Sequence, residues 1–374
     1  MGSLVLMMLI AGCSSPPTPD SPVDASIAHT DGWSRLPDGP LSARHGTVGA
    51  WLDQRFVLFG GWSQPPCPPN ADCAWPTDAV LRDGASFDPA AGTWKLIAEA
   101  PMPVSGWNSA VVNDRWYFLT AGFPRTDSPV TFLSYDPAAD DWTSLPVPRA
   151  AAGSRLVAAG DRVMAISSSD EQAKAIDSVF DSATGSWQQI PDDPLGPGFD
   201  RAAVWLGDAL LLTAKDLVPG PGSAQPAVVR LATLDATLTE WAPLPDSEVI
   251  GGSPTAVGGR VVFPERGSAD GGEVNNWGRP FPHGGVFNPS DSSWTPLPDP
   301  PAGAGLGWEA LTVGGNALVG GHLLDPATSD WTVVPPPPGP ERYSTTILAN
   351  ADTIVVWGGA SADQNLADGY LLHY

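Results

Sequence analysis

After residue 30 the chain is built from pairs of apolar runs that flank short polar breaks. The breaks are Leu52-Asp53-Gln54-Arg55, Asn113-Asp114-Arg115, Gly160-Asp161-Arg162, Gly207-Asp208, Gly258-Gly259-Arg260, Gly314-Gly315-Asn316 and Asn350-Ala351-Asp352. Gly, Asn and Asp tolerate the positive φ angles of tight hairpins. The flanking runs, such as Phe56-Val57-Leu58-Phe59 and Thr353-Ile354-Val355-Val356-Trp357, are aromatic and β-branched, which predicts strands.

Tryptophans stand at a fixed spacing between these hairpins. Phe87 precedes Trp94, Tyr135 precedes Trp142, Phe180 precedes Trp187, Leu234 precedes Trp241, Phe287 precedes Trp294 and Leu324 precedes Trp331, always by 7 positions. Asp or Asn follows the first member of each pair. A proline closes the segment after most of the tryptophans, as in Leu145-Pro146, Ile190-Pro191, Leu244-Pro245, Leu297-Pro298 and Val334-Pro335. Each repeat therefore reads as a hairpin, a strand entering Asp-Pro, and a strand carrying Trp. Four strands in about 49 residues match the size of a propeller blade. One such sheet cannot bury both of its faces, whereas stacking around an axis does so.

The repeats resemble the kelch family, whose pattern is an apolar strand, a Gly-Gly pair, and an aromatic ahead of a Trp. Phe59-Gly60-Gly61 and Trp357-Gly358-Gly359 carry the pair, Gly320-Gly321 matches more loosely, and Ala121-Gly122 keeps half of it. Ile166-Ser167, Leu212-Thr213 and Phe263-Pro264 stand where three repeats lack it. The resemblance implies an all-β, kelch-type β-propeller over residues 31–374. Seven blades are expected, with six as the alternative if the short unit between Trp294 and Trp331 is degenerate. Trp33 has no hairpin before it, and the hairpin from Tyr343 to Trp357 with Leu366 to Tyr374 has no Trp strand after it. Pairing the two ends would complete a seventh blade and remove an exposed sheet edge.

The first residues differ in character. Leu4 to Ala11 is an apolar run too short to span a bilayer. Ile10-Ala11-Gly12-Cys13 resembles a bacterial lipobox, although no Lys or Arg precedes the run. That resemblance implies a signal peptide over residues 1–12, lipidation of Cys13, and anchorage without a membrane span. Residues 13–30, rich in Ser and Pro, read as a tether. Cys67 and Cys73 share one Pro-rich loop. In an exported protein this favours a local disulfide over a metal pair, for which no further His or Cys lies nearby in sequence.

Charge narrows the functions. Among 374 residues, 18 Lys and Arg face 41 Asp and Glu, giving a net charge of −23. Such a chain lacks the basic face that nucleic acid or an anionic membrane requires. The 16 Trp and 42% hydrophobic residues supply a core, and the 41 Gly and 42 Pro suit many turns.

Propellers place their sites at one channel mouth. The first polar or aromatic positions after each Leu-Pro are Arg44 and His45, Trp107 and Asn108, Arg155, Arg201, Ser253, Trp308 and Glu309, and Arg342 and Tyr343. Four arginines at one mouth would form a positive funnel for an anionic or polyhydroxylated ligand, with Trp107 and Trp308 as stacking faces. The competing reading has these arginines bonding backbone carbonyls of adjacent blades. The loops from Trp62 to Trp75 and from Glu265 to His283 are further candidates. No copper, zinc, phosphate-loop or nucleophile-elbow signature appears, so no cofactor or metal is expected. The expected role is an exported, monomeric binding module for a small molecule, glycan or protein. The rival is an extracytoplasmic sugar isomerase or lyase using His45, Glu309, Tyr343 or His283 as acid–base groups.

Overall fold

The computed structural model describes residues 29–30, 32–64, 80–104, 108–121, 129–171, 174, 176–217, 228–247, 253–264, 284–297, 301, 310–362 and 364–374. Among them, the regular structure is β-strand, and no helix is long and apolar enough to cross a membrane.

The strands form seven antiparallel blades. The first orders Val48–Leu52, Arg55–Phe59, Gly84–Asp88 and Thr93–Ile97 from the axis outward. The next five begin at Ser109–Val112, Ser154–Ala159, Gly198–Trp205, Thr255–Val257 and Leu311–Val313, each followed by three more strands. From the second blade onward these innermost strands meet their neighbours in sequence around the axis, Thr346–Ala349 of the seventh blade returns to Val48–Leu52 of the first, and Val48–Leu52 meets the second blade at Arg115–Ala121. The short unit before Trp331 is a complete four-stranded blade, which removes the six-bladed alternative.

The seventh blade is built from both ends of the chain. Trp33–Arg35 pairs antiparallel with Gly369–His373, in the register Trp33 to Leu372, Ser34 to Leu371 and Arg35 to Tyr370. One detail departs from expectation: His29–Thr30, in the segment assigned to the tether, folds back against Trp33 and Ser34 as a short fifth strand.

The fixed Trp spacing has a simple origin. The two members of each pair lie directly opposite each other in the outer hairpin: Phe87 and Trp94, Tyr135 and Trp142, Phe180 and Trp187, Leu234 and Trp241, Phe287 and Trp294, Leu324 and Trp331. The Asp between them closes the hairpin. Asp88 Oδ1 accepts from the amides of Ala90 and Ala91, and Asp136, Asp181 and Asp325 repeat the arrangement. The hydrogen bond from Ala91 is the main reason the Asp88 carboxyl lies below its ordinary range.

Burial then follows the ring. Seven apolar clusters are buried among the described residues, and each joins two adjacent blades. One packs Val57 and Phe59 of the first blade on Phe118 and Tyr135 of the second. Another packs Leu348 and Val355 of the seventh on Phe56 and Phe87 of the first. Each outer-strand Trp touches one of these clusters, and all but Trp33 remain half-buried. The exposure leaves room for a polar bond. The indole of Trp142 donates to Ala98 O at 3.0 Å, Trp187 to Pro146 O at 2.6 Å, Trp241 to Pro191 O at 2.9 Å, Trp33 to Pro335 O at 2.8 Å and Trp94 to Pro37 O at 2.9 Å. Every acceptor lies just beyond the Trp strand of the preceding blade. The ring is therefore fastened at its rim by indole bonds as well as packed at its interfaces.

Candidate functional site

Antiparallel order places the starts of the innermost strands on the same face as the ends of the second strands. The connections between blades and the loops before the third strands gather there. The inner strands enclose a cavity of about 260 Å³ on the axis, lined by Ser109, Arg155, Val157, Ala203, Thr255 and Ala310 among others. These side chains come from the second through sixth blades. Most are small or apolar, so a cation among them is conspicuous.

Arg155 and Arg201 both line this cavity, and Arg201 is already held by two acids, which leaves Arg155. It is the second residue of Ser154–Ala159, is exposed, and makes no ion pair among the described residues. Its neighbours on the strand, Ser154 and Leu156, are buried. Strand alternation therefore turns Arg155 to the opposite side, toward the channel.

The other three arginines are held differently, and this corrects the picture of a four-membered funnel. Arg44 is 1% exposed. Its guanidinium donates to both oxygens of Asp83 at 2.6 and 2.9 Å, to Gly60 O at 3.1 Å and to Ser42 O at 2.9 Å. Arg342 occupies the same place in the seventh blade, facing Asp368 at 3.2 and 3.3 Å and Gly358 O at 3.3 Å, with its guanidinium over the Tyr370 ring. Arg201 reaches from the fourth blade into the third. It donates to Ser167 O at 2.8 Å, to Asp177 at 2.8 and 3.3 Å and to Asp193 at 2.7 Å. Burial opposes its charge, but the hydrogen bond and charge of Asp177 outweigh that and hold the Arg201 pKa above its ordinary value. These three charges are neutralised within the protein. Nor are the four arginines equivalent around the ring. Arg44 and Arg342 precede their inner strands, whereas Arg155 and Arg201 lie within theirs.

The remaining candidates are divided. Asn108 bridges the second and third blades: its Nδ2 donates to Ser154 O at 2.6 Å and its Oδ1 accepts from Leu156 N at 2.6 Å. It thus extends an inner strand with its side chain. His45 is buried, and its backbone exchanges hydrogen bonds with Trp62. Burial lowers its imidazole pKa, against the opposing effect of a backbone hydrogen bond at Gln64. The hydroxyl of Tyr343 donates to Ala362 O at 2.6 Å. Trp107, Trp308, Glu309, His283, Cys13, Cys67 and Cys73 lie outside the described residues, as do most of the two long loops.

Two signals could have foretold this division. An Asp stands immediately before the third strand of the first, third and seventh blades, at Asp83, Asp177 and Asp368. Each meets a candidate arginine, so Arg and Asp at these two positions form a structural pair. The channel wall itself, from Ser109 to Ala310, carries no chemical signature in sequence. Only its position on the innermost strands marks it.

No protein-family model matches the chain. Among curated proteins it is similar to the Kelch-like protein terF of Aspergillus terreus, with 22% identity over 320 residues. That match covers 79% of this chain and 64% of the relative, so it spans less than two thirds of the relative's length. Together with the seven-bladed ring, the similarity supports a propeller of the kelch-repeat type.

Proposed function

We propose that the protein is an exported, membrane-anchored binding module that takes an anionic small molecule or glycan at the mouth of its central channel. Arg155 carries this reading: an exposed guanidinium on the channel wall with no ion pair among the described residues, while the other candidate arginines are already neutralised by Asp83, Asp177, Asp193 and Asp368. A guanidinium fork matches a carboxylate or phosphate edge with two parallel hydrogen bonds. The overall negative charge favours a site where the local field is positive only at the channel, which selects by position as well as by charge. Export and anchorage rest on the lipobox-like Ile10-Ala11-Gly12-Cys13 and on the Ser/Pro-rich segment after it.

The test is an array of acidic and neutral glycans and small carboxylates, probed with the full-length protein and with Arg155→Ala. Acidic ligands are expected to bind, and the variant is expected to lose about tenfold or more in affinity. Binding that ignores ligand charge, or an unchanged variant, refutes the channel site. Cell fractionation of Cys13→Ser tests the anchor separately. The variant is expected to leave the membrane fraction, and retention there refutes lipidation.

A further inference from the structure

The connection from the sixth blade to the seventh is Val334-Pro335-Pro336-Pro337-Pro338-Gly339-Pro340-Glu341-Arg342. The connection from the seventh to the first, Leu36-Pro37-Asp38-Gly39-Pro40-Leu41-Ser42-Ala43-Arg44, has the same length and the same fixed points. Val334 N bonds Gly321 O as Leu36 N bonds Gly369 O. Pro335 O receives the indole of Trp33 as Pro37 O receives that of Trp94. Arg342 and Arg44 both end in a carbonyl and an Asp. The matching corner has proline only at Pro37 and Pro40, opposite Pro335 and Pro338, so the fold makes this connection without prolines at the two positions between them. Pro336 and Pro337, which stand where the other corner has Asp38 and Gly39, are surplus to the architecture.

They are also presented outward. Pro335, Pro336 and Pro340 are exposed, Pro337 and Pro338 half-buried, and the adjoining Val333 is 58% exposed. A proline followed by a proline has φ fixed by its ring and ψ restricted by the next one, so Pro335 to Pro337 hold the polyproline II conformation. The strap is rigid before any partner arrives, so binding costs it little chain entropy. Pro335 to Pro338 lack backbone N–H groups and cannot add to a sheet edge. Partners that read such a strap do so with a groove lined by aromatic rings.

We infer that Pro335–Pro340 is a docking strap for a partner protein carrying an aromatic-lined, polyproline-reading groove. The site is separate from the channel and does not depend on Arg155. The probe is an isolated WW domain, whose groove tryptophan reports occupancy by fluorescence, titrated with the full-length protein. Saturable binding is expected. Pro336→Asp with Pro337→Gly, which copies Asp38-Gly39, is expected to weaken binding about tenfold while leaving the melting temperature unchanged. Pro336→Ala removes only an exposed ring and is expected to weaken binding without disturbing the corner. Absence of saturation, or wild-type affinity in Pro336→Ala, overturns the inference.

Discussion

Replacing Arg201 with methionine should be among the most damaging single changes available in this protein, and the structure supplies the reason. The side chain is fully buried, with 0% exposure, and its two carboxylate partners are nearly so, at 6% for Asp177 and 8% for Asp193. It joins the third and fourth blades by holding Ser167 O as well as both acids. Methionine keeps much of the volume but leaves two buried carboxylates facing each other without a cation, together with an unsatisfied carbonyl. Breaking a buried pair from one side costs about 3–5 kcal/mol. Arg155→Met removes a charge with no ion-pair partner among the described residues and should change stability by about 0.5 kcal/mol or less. Urea denaturation of the two variants, read as shifts in midpoint at constant slope, measures both. Adding Asp177→Asn and Asp193→Asn to Arg201→Met should restore part of the loss, because the stranded charges are gone. A loss below about 1 kcal/mol for Arg201→Met, or equal losses at Arg201 and Arg155, would refute the division into structural and channel arginines.

The rim fastening gives a second comparison. Trp142→Phe deletes the bond to Ala98 O, whereas the buried indole nitrogen of Trp294 has no partner among the described residues. Trp142→Phe should therefore cost about 1 kcal/mol more than Trp294→Phe in denaturant titration, and equal losses would contradict the fastening. Because burial depresses the native pKa of His45 below its ordinary 6.5, the native state favours the neutral ring. Stability is complete above pH 6.5 and falls as pH drops through 6.5 toward that lower value. His45→Gln should flatten this fall below pH 6.5, and an unchanged slope there would remove His45 as its source.

Much of the ring was legible because its signals are local. The Trp spacing encodes one hairpin register, seen in Phe87 opposite Trp94, and Asp88 encodes the turn between them. The pairing of Trp33 with the C-terminal strand followed from counting what each end lacked. The site was harder to read because an arginine's role depends on what lies across space from it. Arg44, Arg155, Arg201 and Arg342 look alike in sequence. Three of them meet aspartates that lie 39 residues away for Arg44, 24 for Arg201 and 26 for Arg342, while Arg155 meets none among the described residues. The strap at Pro335 is a run of prolines in the sequence, but what makes two of them surplus is spatial: the corner at Pro37 makes the same bonds without them.

Closure of the ring by the two chain ends underlies the whole account, and a cross-link tests it most directly. Ser34 and Leu371 face each other in register between the N-terminal strand and the last strand. Cysteines at both positions, oxidised under native conditions and mapped by peptide mass spectrometry, should form a disulfide between residues 34 and 371 in nearly all molecules, and urea applied before oxidation should abolish it. Free thiols at both positions in the native protein would show that the ends do not meet, and the seven-bladed ring would be wrong.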